Sequence, residues 1–387
     1  NCLTDEDNRR VFTCDTLVPI LAGGFQLPDN LTCNDPLVSN LVGEFKHMVV
    51  AVCGPTHKAT PDGTNGYTGF EPTEPVPPAV YPDASFEDGF AEVNLYYHTD
   101  KATEFFRSLG FEAPPTPLDG AVNLSLPSGD LVSCGQEAMQ QAGSTDSETG
   151  ISVISECMES LTAQSKPAFS GVPNAFFSPK GPITNLLGFD DGGIFFFQGP
   201  AADFAYDGDV IYHEFGHNVV HQLGNNKLTG GNILDDYGLD DSPGALNEAY
   251  ADYFAGVITE DPVVGGYVAP KTGMGAGIRR LDHDLACPDF WAGQVHADSW
   301  GWAGALWEAR DLYPQTETND LTGQRIRIFD RAVLDGLKAL TTNSLYKDAA
   351  EATIEAVMAD AGLEDPDGQK IREVLEARNV LDCKRVR

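Results

Sequence analysis

The run VIYHEFGHNVVHQLG at 210–224 carries three histidines spaced by four, His213, His217 and His221, with Glu214 beside the first. Val210, Ile211, Phe215, Val219, Val220 and Leu223 recur at helical intervals, no proline interrupts them, and Gly224 stands where a C-cap glycine belongs. Asp209 just ahead favours a helix N-terminus through the dipole. A helix is therefore predicted over about 209–223. Residues four apart share a face, about 6 Å apart along the axis, so His213 and His217 can converge on one zinc ion. His221 lies about 12 Å from His213 by the same rise and cannot join them. It reads as a surface or interface histidine, and the third ligand must come from elsewhere.

The segment SPGALNEAYADYFAG at 242–256 offers one. Ser242 is expected as the N-cap and Pro243 at the first helical position. Glu248 and Asp252 are four apart on one face. Glu248 is the expected third zinc ligand. Asp252 would accept a hydrogen bond from the far ring nitrogen of a ligand histidine, fixing its tautomer and raising its basicity. Ala245, Ala249 and Ala251 permit close approach of the two helices. Two histidines and a glutamate leave one tetrahedral position for water, the pattern of a catalytic zinc. Glu214, too poorly placed to ligate beside both histidines, suits the general base that takes the water's proton.

The elements that must hold these residues belong to an α+β chain. Its 387 residues suit two lobes plus an appendage. Residues 1–80 contain four of the eight cysteines and a Pro/Gly/Thr-rich connector, and read as a disulfide-tied N-terminal appendage. An inhibitory role for that segment, through Cys53, is the less favoured alternative. Residues 81–223 read as a sheet-containing N-terminal lobe ending in the HEFGH helix, with NAFFSP (174–179) and GGIFFFQG (192–199) as strands. The stretch at 128–150 is polar and loop-like. Residues 224–387 read as a mainly helical C-terminal lobe.

With 24 Lys and Arg against 58 Asp and Glu, the net charge is −34. Such a chain repels nucleic acid and anionic membranes, and the charge is read chiefly as solubility. No run of eighteen apolar residues exists, so no membrane span is expected. None of the cysteines forms a CxxC pair, which argues against a cysteine-based zinc site. Eight scattered cysteines suggest disulfides and an oxidising compartment, with Cys134–Cys157 an attractive pairing. The start at Asn1-Cys2 is expected to reflect processing or trimming.

HEFGH followed by NEAYAD resembles the gluzincin metallopeptidases, the thermolysin-like and fungalysin-like families, over roughly residues 86–387. That resemblance implies a two-lobe zincin catalytic domain and adds further residues. NAFF looks like the family's edge strand, which would put Asn174 and Ala175 on the substrate backbone. IRRL at 278–281 looks like its arginine segment, with Arg279 on a substrate carbonyl. VHADS at 295–299 looks like the segment of its oxyanion-stabilising histidine, here His296. Tyr237 is the nearest match to an assisting tyrosine. Asp209 resembles a family calcium ligand, so Ca2+ is a further implied ion. The interval from His217 to Glu248 is longer, and that from Arg279 to His296 shorter, than in thermolysin-like enzymes.

The resemblance implies a secreted, monomeric zinc metalloendopeptidase acting on protein or peptide substrates. The metzincin pattern HExxHxxGxxH fails, because Val220 and Leu223 stand where Gly and His are needed. A gluzincin aminopeptidase would carry a Gly-Ala-Met-Glu-Asn segment, and none is present. A non-catalytic binding or adhesion protein that keeps zinc for stability is the alternative from another class.

Overall fold

A computed structural model describes Leu3–Thr4, Arg9–Thr13, Thr60–Pro61, Tyr67–Thr68 and the chain from Gly89 to Cys383. Within that last span, residues 113–117, 125, 128, 143–146, 165–168, 182–183, 185–191, 224–227, 229–232, 236–237, 315, 320–322 and 360–364 are not described. The protein is mixed α+β, mostly helical with small sheets. Two compact units emerge: Asn1–Tyr96 with Thr116–Tyr206, and Tyr97–Pro115 with Asp207–Arg387. The expected lobe boundary followed the HEFGH helix at 223. In the two compact units the HEFGH helix falls in the second, whose longer segment starts at Asp207.

The first unit is built on a five-stranded mixed sheet. Its strands are β1 (Leu3–Thr4), β2 (Arg9–Thr13), β3 (Leu118–Leu124), β4 (Ala175–Ser178) and β5 (Gly193–Phe197), in the order β1-β2-β3-β5-β4. β2, β3 and β5 run parallel, and β4 closes one edge antiparallel to β5 with Ala175 opposite Phe196. Every residue of β5 is buried, as a continuous apolar run in a central strand requires. Helix α1 (Gly89–Ser108) begins in this unit, where Leu95 packs over Gly120 of β3. It ends at Gly110, which has φ +85°.

Residues 128–150, expected as a loop, instead supply α2 (Gly129–Ala142) and the start of α3 (Ser147–Ala163). The two helices pack together and are crosslinked by Cys134–Cys157. Among the described side chains of α2, Cys134 and Ala138, four apart, are buried on one face. Cys2, Cys14, Cys33 and Cys53 lie outside the described residues.

The second unit is helical: α4 (Gly208–Gln222), α5 (Ser242–Thr259), α6 (Val295–Asp311), α7 (Ile328–Ala339), α8 (Tyr346–Ala359) and α9 (Asp365–Ala377). α5 is the central element, packed on α4 and on α6 and buried over most of its circumference. Aromatic residues weld this core. Phe106 stacks on Phe215 of α4 at 5.7 Å and meets Phe254 of α5 edge-on at 5.0 Å.

The N-cap of α4 is Asp207, whose Oδ1 accepts from the Asp209 and Val210 amides. Its Oδ2 accepts from Tyr267 and Val268, tying the start of α4 to that loop. α5 starts one residue earlier than expected, with Asp241 as N-cap and Ser242 bonded through its amide and hydroxyl to Asp240 Oδ1. Among the described residues, no helix is long and apolar enough to cross a membrane.

Candidate metal centre

Close contact between α4 and α5 assembles the site. Gly216, inside HEFGH, faces Ala251: a Cβ at 216 would lie 2.8 Å from the Ala251 Cα. Glycine against alanine lets the two backbones approach, and the ligand-bearing faces come together beside that contact.

His213 Nε2 and His217 Nε2 lie 3.0 Å apart. Glu248 Oε2 is 3.3 Å from the first, and Glu248 Oε1 is 3.5 Å from the second. These three residues are the only such group of three potential ligands among the described residues. Each ring is held from behind. His213 Nδ1 lies 2.8 Å from Asp252 Oδ1, and His217 Nδ1 lies 2.8 Å from Asn247 Oδ1. A ring that donates its Nδ1 proton outward presents a lone pair at Nε2. Two such lone pairs therefore face each other and a carboxylate. Glu248 Oε2 is moreover buried without a hydrogen-bond donor. Clustered acceptors of this kind need a shared cation, a proton or a metal ion, and two histidines with a glutamate are a donor set that fits a metal ion. Asn247 was not singled out from the sequence; its position next to Glu248 is the only signal it leaves there.

Charge sets the protonation of the cluster. Burial disfavours a charged His213 ring, but the adjoining Asp252 carboxylate overrides this and raises its pKa to about 10. A proton and a metal ion thus compete for one nitrogen. Burial also works against ionised Glu248 and Asp252. The histidines hold Glu248 below the usual carboxylate range, and Arg279 with His213 does the same for Asp252.

Arg279 sits on a short strand whose partner residue is Val264. It grips Asp252 with two bonds, Nε–Oδ2 at 2.5 Å and Nη2–Oδ1 at 2.7 Å. Its main partner is thus a carboxylate of the site itself. Glu214 is buried on α4 and contributes to the negative field acting on Arg279. His296, on the first turn of α6, is half exposed, with Nε2 3.5 Å from Glu248 Oε1. Burial lowers its pKa.

Between Arg279 and His296 lies a cavity of about 420 Å³, walled by Ile278, Leu285, Phe290 and Trp300. The loop that supplies Leu285 and Phe290 is stapled from the chain's other end. Cys287 is bonded to Cys383, and Arg378 donates to the carbonyls of His283 and Leu285.

Other expected residues fall elsewhere. Asn174 and Ala175 lie at the edge strand β4 of the first unit, where the Asn174 carbonyl accepts from Phe197. Tyr237 lies outside the described residues. Asp209 accepts from the Gly266 amide, and burial with the neighbouring Asp207 raises its pKa to about 6. No group of three potential ligands includes Asp209 among the described residues. His221 takes no part in the ligand group.

No family model and no curated protein matches this sequence. The residues and their geometry therefore carry the functional reading.

Proposed function

We propose that this chain is a zinc-dependent endopeptidase of the gluzincin type, with a two-lobe zincin arrangement and protein or peptide substrates. The observation that carries the reading is the convergence of His213, His217 and Glu248, with Asp252 and Asn247 behind the rings and Glu214 next to the first ligand. The disulfides Cys134–Cys157 and Cys287–Cys383 support a secreted form, which we take to act as a monomer.

His213, His217 and Glu248 would hold the ion. Zinc, when bound there, supplies Lewis acidity toward a peptide carbonyl and acidifies a water. Glu214 takes the proton from the attacking water on its carboxylate and delivers it to the leaving amine nitrogen. His296, open to solvent beside Glu248, donates to the oxygen on which negative charge develops. Asp252 keeps the His213 ring oriented and, with Arg279, neutralises the charge beneath it. The apolar cavity next to Arg279 accommodates a substrate side chain.

The test is digestion of a mixed peptide library by the wild type and by Glu214→Gln, with and without chelator, read by mass spectrometry. Internal cuts that vanish with chelator and return with zinc are expected. Glu214→Gln should keep its metal and lose on the order of 10²–10⁴-fold in turnover. Trimming only from the amino end would make the chain an aminopeptidase. Full zinc occupancy without any cleavage would favour a zinc-stabilised binding protein.

A further inference from the structure

Gln294 and His296 stand on either side of Val295 at the start of α6. Gln294 is the N-cap, and its Oε1 accepts from the Ala297 amide at 2.9 Å. A backbone N–H can only donate, so this bond settles which arm of the Gln294 amide is oxygen. The other arm, Nε2, lies 2.5 Å from His296 Nδ1. An amide NH2 offers only protons, so Nδ1 must meet it with a lone pair. A neutral imidazole with its lone pair on Nδ1 carries its proton on Nε2. On the opposite side of the ring, Nε2 faces Glu248 Oε1 at 3.5 Å, an oxygen that favours a proton on the same nitrogen. The contacts at both ends of the ring select one tautomer.

We propose that Gln294 is a positioning residue that holds His296 as the Nε2–H tautomer, its donor facing the His213–His217–Glu248 group. The consequence for turnover rests on the peptidase reading, in which His296 must donate to a developing oxyanion. A lone pair on Nε2 would repel that oxygen. A carboxylate at 294 could still cap the helix through one oxygen, but its other oxygen would draw the proton to Nδ1.

The deciding experiment is 15N NMR of the zinc-loaded full chain labelled at its histidine ring nitrogens. His296 is assigned by the signal lost in His296→Gln. Wild type should show Nε2 protonated and Nδ1 bare, and Gln294→Glu should place a proton on Nδ1. Gln294→Met, which can neither cap nor donate, should leave a mixture of tautomers. It should also lower kcat roughly tenfold, a part of what a lost oxyanion donor costs, with KM moved less than twofold. Wild-type His296 protonated at Nδ1, or a spectrum that neither Gln294 variant changes, would overturn the assignment. An unchanged kcat in Gln294→Met would remove its role in turnover. If wild type cleaves no peptide, the peptidase reading falls, while the ring spectrum still decides the tautomer.

Discussion

Gly216→Ala tests whether helix approach makes the metal centre. The new Cβ would lie 2.8 Å from the Ala251 Cα and 3.2 Å from its Cβ. Carbon atoms settle at about 3.5–4.0 Å, so the α4–α5 separation must grow by roughly 0.7–1.2 Å. His213 and His217 ride on one helix, Glu248 and Asp252 on the other, so the same displacement opens the ligand set. Ligand distances tolerate only about 0.2 Å. Zinc affinity should fall about 10–100-fold, comparable to loss of a residue that orients a ligand. Stability should change less. Overpacking costs about 1–3 kcal/mol, whereas alanine gains about 0.8–1.0 kcal/mol over glycine inside a helix. The net loss is then between about 0 and 2 kcal/mol. Competition with a chromophoric chelator reads the affinity, and urea melts of the zinc-stripped protein read the stability. Unchanged affinity together with a gain of about 1 kcal/mol would refute the reasoning.

Asp252→Ala strands the Arg279 guanidinium and leaves His213 Nδ1 without its acceptor. Breaking a buried pair in this way should cost about 3–5 kcal/mol and weaken zinc binding about 10–100-fold; thermal melts and chelator competition that match wild type would contradict it. The raised His213 pKa, about 10, makes zinc uptake displace a proton at neutral pH. Apparent zinc affinity should therefore rise about tenfold per pH unit from 7 toward 10, with proton release measurable in weakly buffered solution. For the zinc-stripped protein the sign is the reverse. A folded-state pKa above the unfolded value stabilises fully below about 6.5, and that contribution is lost as pH rises through about 10. An affinity flat with pH, or a stripped protein that gains stability across that window, would show that His213 is not the protonated group.

Strand signals at 174–179 and 192–199 were legible because apolar and aromatic runs bounded by turn residues are local. The α2–α3 pair was not legible. Residues 128–150 read as a polar loop, although the Cys134–Cys157 pairing that crosslinks the two helices was suggested by the sequence and is present. Cys287–Cys383 was not readable, since pairing across a separation of 96 residues depends on where loops end up in space.

Within the site, the sequence alone determined what one helix can determine. Spacing by four puts His213 with His217 and Glu248 with Asp252, because the rise and twist of a helix are the same wherever it sits. Only the tertiary structure decided that these two faces meet, through Gly216 against Ala251. It also gave Arg279 to Asp252, Asn247 to His217 and Gln294 to His296. The Arg279–Asp252 and Asn247–His217 partnerships join segments about thirty residues apart, whose meeting is set by packing. The Gln294–His296 contact is near in sequence, yet it depends on a side chain that caps one helix and turns its free arm toward the ring. Side-chain direction of that kind follows from the finished fold and leaves no trace in residue order.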